Sequence, residues 1–119
     1  MDSRIETTIN LMKVNLNKHL TLPSLGQSVN LSPDRLSYVF KDEIGVPPSL
    51  YLRSLRMKQA KDLLETTFLT VKQVMVRVGL HDESHFVRDF KRFWGSTPAQ
   101  YRDRHNQLFA IEHQYVHDS

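Results

Sequence analysis

The stretch GLHDESHFVRDFKRFWGSTPAQY, residues 79–101, fixes the architecture because its punctuation can be read without ambiguity. Gly79 marks a turn, and Asp82 is a side chain able to cap free helical N–H groups. Phe86 and Phe90 recur at helical spacing with Phe93 or Trp94 one turn further on, and Gly95 supplies a left-handed stop. The spacing predicts a helix over Glu83–Trp94 with one apolar face. The segment NLSPDRLSYVFKDEIGVPPSLY at residues 30–51 has the same plan. At an offset of 50, Leu36, Phe40, Lys41, Gly45, Pro48 and Tyr51 fall on Phe86, Phe90, Lys91, Gly95, Pro98 and Tyr101. Upstream the offset is 49, with Leu20, Thr21, Leu25, Val29 and Leu31 falling on Leu69, Thr70, Val74, Val78 and Leu80. A fixed-offset match at packing and helix-stop positions is the mark of a duplicated structural unit, and one residue has been inserted between the two halves of the match.

Working outward, Leu22 to Ser28 reads as a short helix with Leu25 and Val29 inward, followed by a turn at Val29-Asn30-Leu31. Ser32 before Pro33 is a strong helix start. The helix that follows runs to Ile44, with Leu36, Val39, Phe40 and Ile44 on its inner face. In the second copy the short helix runs from Val71 to Val78. A short helix, a tight turn and a longer helix make a helix-turn-helix, whose second helix can lie in a major groove. Between the copies, Pro48 to Thr66 lacks Gly and internal Pro, and sets Leu52, Leu55, Met57, Ala60, Leu63 and Leu64 on an inward stripe. About 19 residues span roughly 28 Å, near the ~34 Å of one DNA turn. An opening helix over Ile5–Asn17, with Ile5, Ile9, Met12 and Leu16 inward, and a short closing helix over Pro98–Arg104 complete the set. The fold class is all-α: about seven helices forming two helix-turn-helix subdomains joined by a long linker helix. The expected divisions are residues 1–46, the linker 47–67, residues 68–104, and a loosely ordered tail 105–119 whose apolar pattern (Leu108, Phe109, Ile111, Tyr115) is marginal.

Composition narrows the function. The chain has 119 residues, enough for one domain or two very small ones. With no cysteine it has no disulfide framework, thiolate nucleophile or thiolate-held metal. No apolar run reaches the roughly 18 residues of a membrane span, and the N-terminus lacks a secretory pattern, so the expectation is a cytoplasmic protein. Sixteen Lys and Arg against thirteen Asp and Glu give a charge of +3, which permits a polyanionic partner without requiring one. The closest approach to a metal pair is His81 with His85, where His81 falls in the turn, and His113 with His117 in the tail; neither has a zincin order. There is no phosphate-cradling glycine loop and no nucleophile elbow. The expectation is a chain that is no enzyme, with no cofactor and no metal.

These residues resemble the DNA-binding domain of the AraC/XylS family of bacterial transcription regulators. In the second copy, Gly79-Leu80, Asp82, Ser84, Phe86, Arg88, Phe90-Lys91-Arg92, Gly95, Thr97-Pro98 and Tyr101-Arg102 stand in the family's spacing. The first copy agrees at Leu22, Leu25, Asn30-Leu31-Ser32, Leu36, Phe40-Lys41, Gly45, Pro48 and Tyr51-Leu52, with Arg56, Ala60 and Leu63-Leu64 on the linker. Four positions depart. Leu80 stands where the family usually has Phe, Gly26 and Met75 where Ala is usual, and Pro47 where Ser or Thr caps the linker helix. Gly26 and Pro47 are expected to weaken their helices by about 1 kcal/mol each. The resemblance implies sequence-specific binding of double-stranded promoter or operator DNA and association with the nucleoid. Both recognition helices, about 33–44 and 83–94, would enter successive major-groove segments. It is compatible with two kinds of member, an isolated C-terminal module whose separate sensing or dimerisation domain lies outside this chain, or a shorter single-domain regulator. RNA polymerase is a further candidate partner, and no membrane is expected.

Base-contact candidates are the exposed positions near the N-terminal half of each recognition helix: Asp34, Arg35, Ser37 and Tyr38 on the first, and Glu83, Ser84, Val87 and Arg88 on the second. Arg88 suits a bidentate pair to guanine O6 and N7, against a phosphate clamp or an ion pair with Asp89 or Glu83. Val87 suits a thymine methyl, against partial burial at the edge of the core. Asp34 and Glu83 can accept from cytosine N4 or be first-turn acids favoured by the helix dipole. Tyr38 can touch a methyl or a phosphate, or cover the linker as a surface aromatic. Phosphate candidates are Ser32, Lys41, Arg53, Arg56, Lys91, Arg92 and Arg102. The rival function is a helical protein-interaction module that contacts polymerase or a partner regulator and has weak DNA affinity of its own.

Overall fold

A computed structural model describes the backbone of residues 1–118 and the side chains of residues 1–112. Among the described residues there are seven helices and no strand. They are α1 (Ser3–Val14), α2 (Leu22–Ser28), α3 (Pro33–Ile44), α4 (Pro48–Thr66), α5 (Val71–Arg77), α6 (Glu83–Trp94) and α7 (Pro98–Asp118). The chain divides into two compact units, Met1–Arg56 and Met57 onward. The division falls inside α4, so the linker helix is no separate piece: each half of it belongs to one unit's core. No described helix is long and apolar enough to cross a membrane.

Unit 1 is built around Ile5, Ile9, Met12, Leu25, Val29, Leu36, Phe40 and Leu52. Fully burying a side chain of this size is worth about 1.5–3 kcal/mol, so this cluster, drawn from four helices, is what holds α1–α3 against the start of α4. The Asp2 carboxylate caps α1 by accepting from the Arg4 N–H at 2.8 Å and also takes the Arg4 guanidinium at 2.8 Å. The guanidinium bond, with the backbone bond second, holds the Asp2 carboxyl down at about 2. α1 ends at Val14, three residues before the sequence spacing suggests, because both the backbone N–H and the side-chain amide of Asn15 turn back onto the Leu11 carbonyl. Leu16 thus leaves the helix yet still packs on the core.

Unit 2 repeats the arrangement with Met57, Ala60, Leu64, Val74, Met75, Val78, Phe86 and Phe90 buried. Of the two residues left open at the end of α6, Trp94 turns inward and donates its indole N–H to the Met57 carbonyl at 3.0 Å, while Phe93 stays on the surface. α7 does not stop at Arg104. It continues to Asp118, since nothing after Pro98 interrupts it with Gly or Pro, the two residues that cost a helix interior most. His113 and His117 have side chains outside the described residues.

The repeat read from sequence is a repeat in space. Phe40 meets Tyr51 edge-on at 5.5 Å, and Phe90 meets Tyr101 edge-on at 5.7 Å. Capping boxes open α2 (Thr21 with Ser24) and α5 (Thr70 with Gln73). Gly45 and Gly95 close α3 and α6 in the left-handed region. The turns differ by the inserted residue, His81: four residues separate α2 from α3 and five separate α5 from α6. In the shorter turn Asn30 takes the left-handed conformation that Gly79 takes in the longer one. The shorter turn also brings the Leu31 carbonyl oxygen to 2.5 Å from where a Cβ on residue 26 would sit. Gly26 is therefore more than a weak helix former, because alanine would force the turn to move. Met75, at the matching place before the longer turn, is buried without such a constraint.

Candidate nucleic-acid interface

Each recognition helix is positioned from three sides: by a cap at its start, by two buried apolar side chains one turn apart, and by a left-handed glycine at its end. The Ser32 hydroxyl accepts from the Arg35 N–H at 3.2 Å, and Asp82 does the same for the His85 N–H at 3.0 Å. That bond is the main reason the Asp82 carboxyl lies below its ordinary value. Leu36 with Phe40, and Phe86 with Phe90, are essentially inaccessible. Burial of one face rotates the other outward, so the same register positions are exposed in both helices.

On α6, Glu83, Ser84, Val87, Arg88 and Lys91 line one shallow concavity. All four base-contact candidates of this unit are thus brought together with one phosphate candidate. Arg88 is exposed, and among the described residues it has no hydrogen-bond or ion-pair partner, so its five donors face solvent. Val87 is half-buried, at the edge of the core with part of its surface in the concavity. Glu83 sits in the first turn, on the positive end of the helix dipole. Lys91 and Arg92 are exposed in the last turn. His81 lies in the turn, and the His85 Nδ1 is 3.0 Å from Asp82 Oδ2; the pair of histidines does not converge on a common point with further ligands among the described residues.

α3 presents a different surface. Asp34 and Arg35 are exposed, Ser37 is half-buried, and Tyr38 is 66% exposed. The Arg35 guanidinium lies over the Tyr38 ring, 5.6 Å from its centre, an attraction worth about 0.5–1 kcal/mol at an exposed site. Tyr38 therefore faces solvent with an arginine stacked on it. The i, i+3 spacing of Arg35 and Tyr38 is the sequence signal of this stacked pair. Lys41 is exposed in the last turn of α3, and Arg53 is exposed on α4.

Two phosphate candidates are committed elsewhere. Arg56 is half-buried and donates to the carbonyls of Leu16 at 3.3 Å and Lys18 at 3.0 Å, tying the loop after α1 to α4. Burial lowers its pKa from the ordinary arginine value. Arg102 donates to Leu64 at 3.1 Å, to Thr67 at 3.3 Å and to the Leu69 carbonyl, pinning the loop between α4 and α5. Beside it, the Tyr101 hydroxyl donates to Glu65; burial first, then that bond, pushes the phenol up to about 12. The two arginines are the clamps of the two units. Their acceptors lie 33 to 40 residues away in sequence, beyond the reach of any local pattern.

Comparison with known proteins follows the same lines. Residues 25–104 match a family described as a helix-turn-helix domain. Over 103 residues, 86% of this chain, the sequence is 35% identical to the arabinose operon regulatory protein of Salmonella typhimurium, of which the match covers 37%. The Escherichia coli protein of the same name is 33% identical over 103 residues, covering 86% of this chain and 35% of that protein. The chain thus spans little more than a third of these relatives' length. Among solved structures, the DNA-binding domain of AdpA, a global transcriptional factor in complex with a target DNA, superposes with a TM-score of 0.84 at 25% identity, covering 87% of this chain and 94% of that one. The C-terminal domain of a two-component response regulator from Fusobacterium nucleatum gives 0.78 at 36% identity, covering 82% and 95%.

Proposed function

The chain belongs to the AraC/XylS family of helix-turn-helix regulators, and on that premise we propose that it binds double-stranded DNA sequence-specifically to regulate transcription, with α3 and α6 entering successive major-groove segments. The observation that carries the reading is the exposed concavity on α6, where Arg88, unpaired among the described residues, stands beside Ser84, Val87 and Lys91. A planar donor fork on a rigid helix, flanked by a hydroxyl and an apolar side chain, can discriminate base edges, and Lys91 with Arg92 supplies charge for the backbone. Promoter DNA is the partner. RNA polymerase and a sensing or dimerisation domain are proposed as further partners, and the cytoplasm, at the nucleoid, as the location.

The test is selection of bound duplexes from a random library by the purified chain, followed by titration in increasing salt. Two short boxes about one helical turn apart, and a log–log salt slope of about −5 to −7 for 6–8 neutralised phosphates, are the expected results. Arg88→Ala relaxes preference at one base position, costing about 1–3 kcal/mol there, while Lys91→Ala weakens all sequences alike. Absence of any duplex binding would sink the reading in favour of a protein-interaction module.

A further inference from the structure

The two recognition helices share one register, so their exposed positions can be compared pair by pair. Lys41 matches Lys91, but Asp42 stands where α6 has Arg92, and Glu43 where it has Phe93. Both members of each pair are exposed. α3 accordingly carries two basic side chains against three acidic, and α6 three against two. Carboxylates in the last turn also lie against the negative end of the helix dipole, where they disfavour the helix. For Glu43 this is offset: its two carboxylate oxygens accept from the Asp2 N–H at 2.9 and 3.1 Å, fastening the start of α1. Asp42 has no such compensation. Among the described residues it has no hydrogen-bond or ion-pair partner, so it occupies an unfavourable place without contributing to the fold.

We infer that Asp42 is a specificity-determining residue, a carboxylate set where the other unit grips phosphate, which withholds backbone affinity from α3 and leaves its docking dependent on base contacts. The inference rests on the DNA-binding reading above. Phosphate attraction is blind to sequence, and discrimination is a difference of affinities that a repulsive group can widen. A unit carrying Lys91 and Arg92 adheres to any duplex. A unit carrying Lys41 and Asp42 has nearly no net charge at that edge, and gains only where Arg35 and its neighbours meet the right bases.

The internal repeat supplies the experiment. Asp42→Arg gives α3 the residue of α6, with a charge the helix end favours, so the fold is retained. Glu6→Arg, on the exposed outer face of α1, changes the net charge by the same amount and serves as the control. Binding of the whole chain to a selected duplex and to a scrambled one is measured from 0.1 to 0.3 M salt. Asp42→Arg is expected to tighten the scrambled duplex about eightfold at 0.1 M and to steepen the log–log salt slope by about 0.9, the value of one released counterion. The ratio of selected to scrambled affinity is expected to fall, with Asp42→Asn intermediate. An unchanged ratio, or a response no larger than that of Glu6→Arg, overturns the inference while leaving the function intact. Failure of the wild-type chain to bind any duplex overturns the function itself.

Discussion

Units 1 and 2 solve one packing problem with two sets of surface chemistry. Their cores agree closely: Leu36 and Phe40 answer to Phe86 and Phe90, Tyr51 to Tyr101, and Val29 to Val78. Their edges diverge. Unit 2 opens its last helix with a capping pair, the Thr97 hydroxyl accepting from the Gln100 N–H at 3.2 Å and the Gln100 side chain accepting from the Thr97 N–H at 3.1 Å. Unit 1 has Pro47 at the matching position, which provides no side-chain acceptor. Unit 2 uses a five-residue turn with Gly79, unit 1 a four-residue turn that needs both Asn30 in the left-handed region and a glycine at position 26. Burial tolerates little variation because interiors are close-packed, whereas caps and exposed charges each carry about 1 kcal/mol and can drift between copies or specialise.

The equivalence of the cores is the first thing to attack. Phe40→Ala and Phe90→Ala should each cost about 3–5 kcal/mol in urea unfolding, and a much milder loss at one of them would show that the matched positions do not bear matched loads. Gly26→Ala should cost about 1–3 kcal/mol, as overpacking does, with faster amide exchange at Leu31, whose N–H donates to the Gly26 carbonyl at 2.9 Å. An unchanged or higher Tm would mean that the shorter turn yields freely. The caps come next. Thr97→Ala should lose about 1 kcal/mol, and Pro47→Thr should recover up to a similar amount in the other unit; equal and small effects at both sites would erase this contrast.

The smallest effect is one of pH. Asp82 is a titratable cap and Ser32 is not. The Asp82 carboxyl is lowered in the folded chain, chiefly by the His85 N–H, from an ordinary 3.8. Its contribution is present above that value and lost as pH falls below it. Between pH 5 and pH 2.5 amide protection at His85 should therefore decline more than at Arg35, which the Ser32 hydroxyl holds. Parallel decline at the two amides would mean that global unfolding, not the cap, sets the acid response.

Legibility followed the range of the interaction. Ser32-Pro33 and Gly45, or Asp82 and Gly95, bracket each recognition helix with signals that act within four residues, and the apolar stripe between them states which face is inside. The same stripe implies the outward positions, and Arg88 is among those exposed. α1 is three residues shorter than its apolar spacing implies because Asn15 stops it through a side-chain bond that periodicity does not register. α7 runs fourteen residues past Arg104, and a weak apolar pattern says little about where a helix without breakers ends.

What the sequence determined by itself is the duplicated all-α plan, the helix limits set by local caps, and the register that turns candidate readers outward. The tertiary structure alone decided which arginines are available. Arg56 and Arg102 look like Arg88 and Arg92 in a list of basic residues, yet each is held by carbonyls from a segment distant in sequence. Whether a guanidinium faces solvent or ties two segments together depends on which backbone oxygens folding leaves within about 3 Å of it, and those oxygens belong to residues far away along the chain.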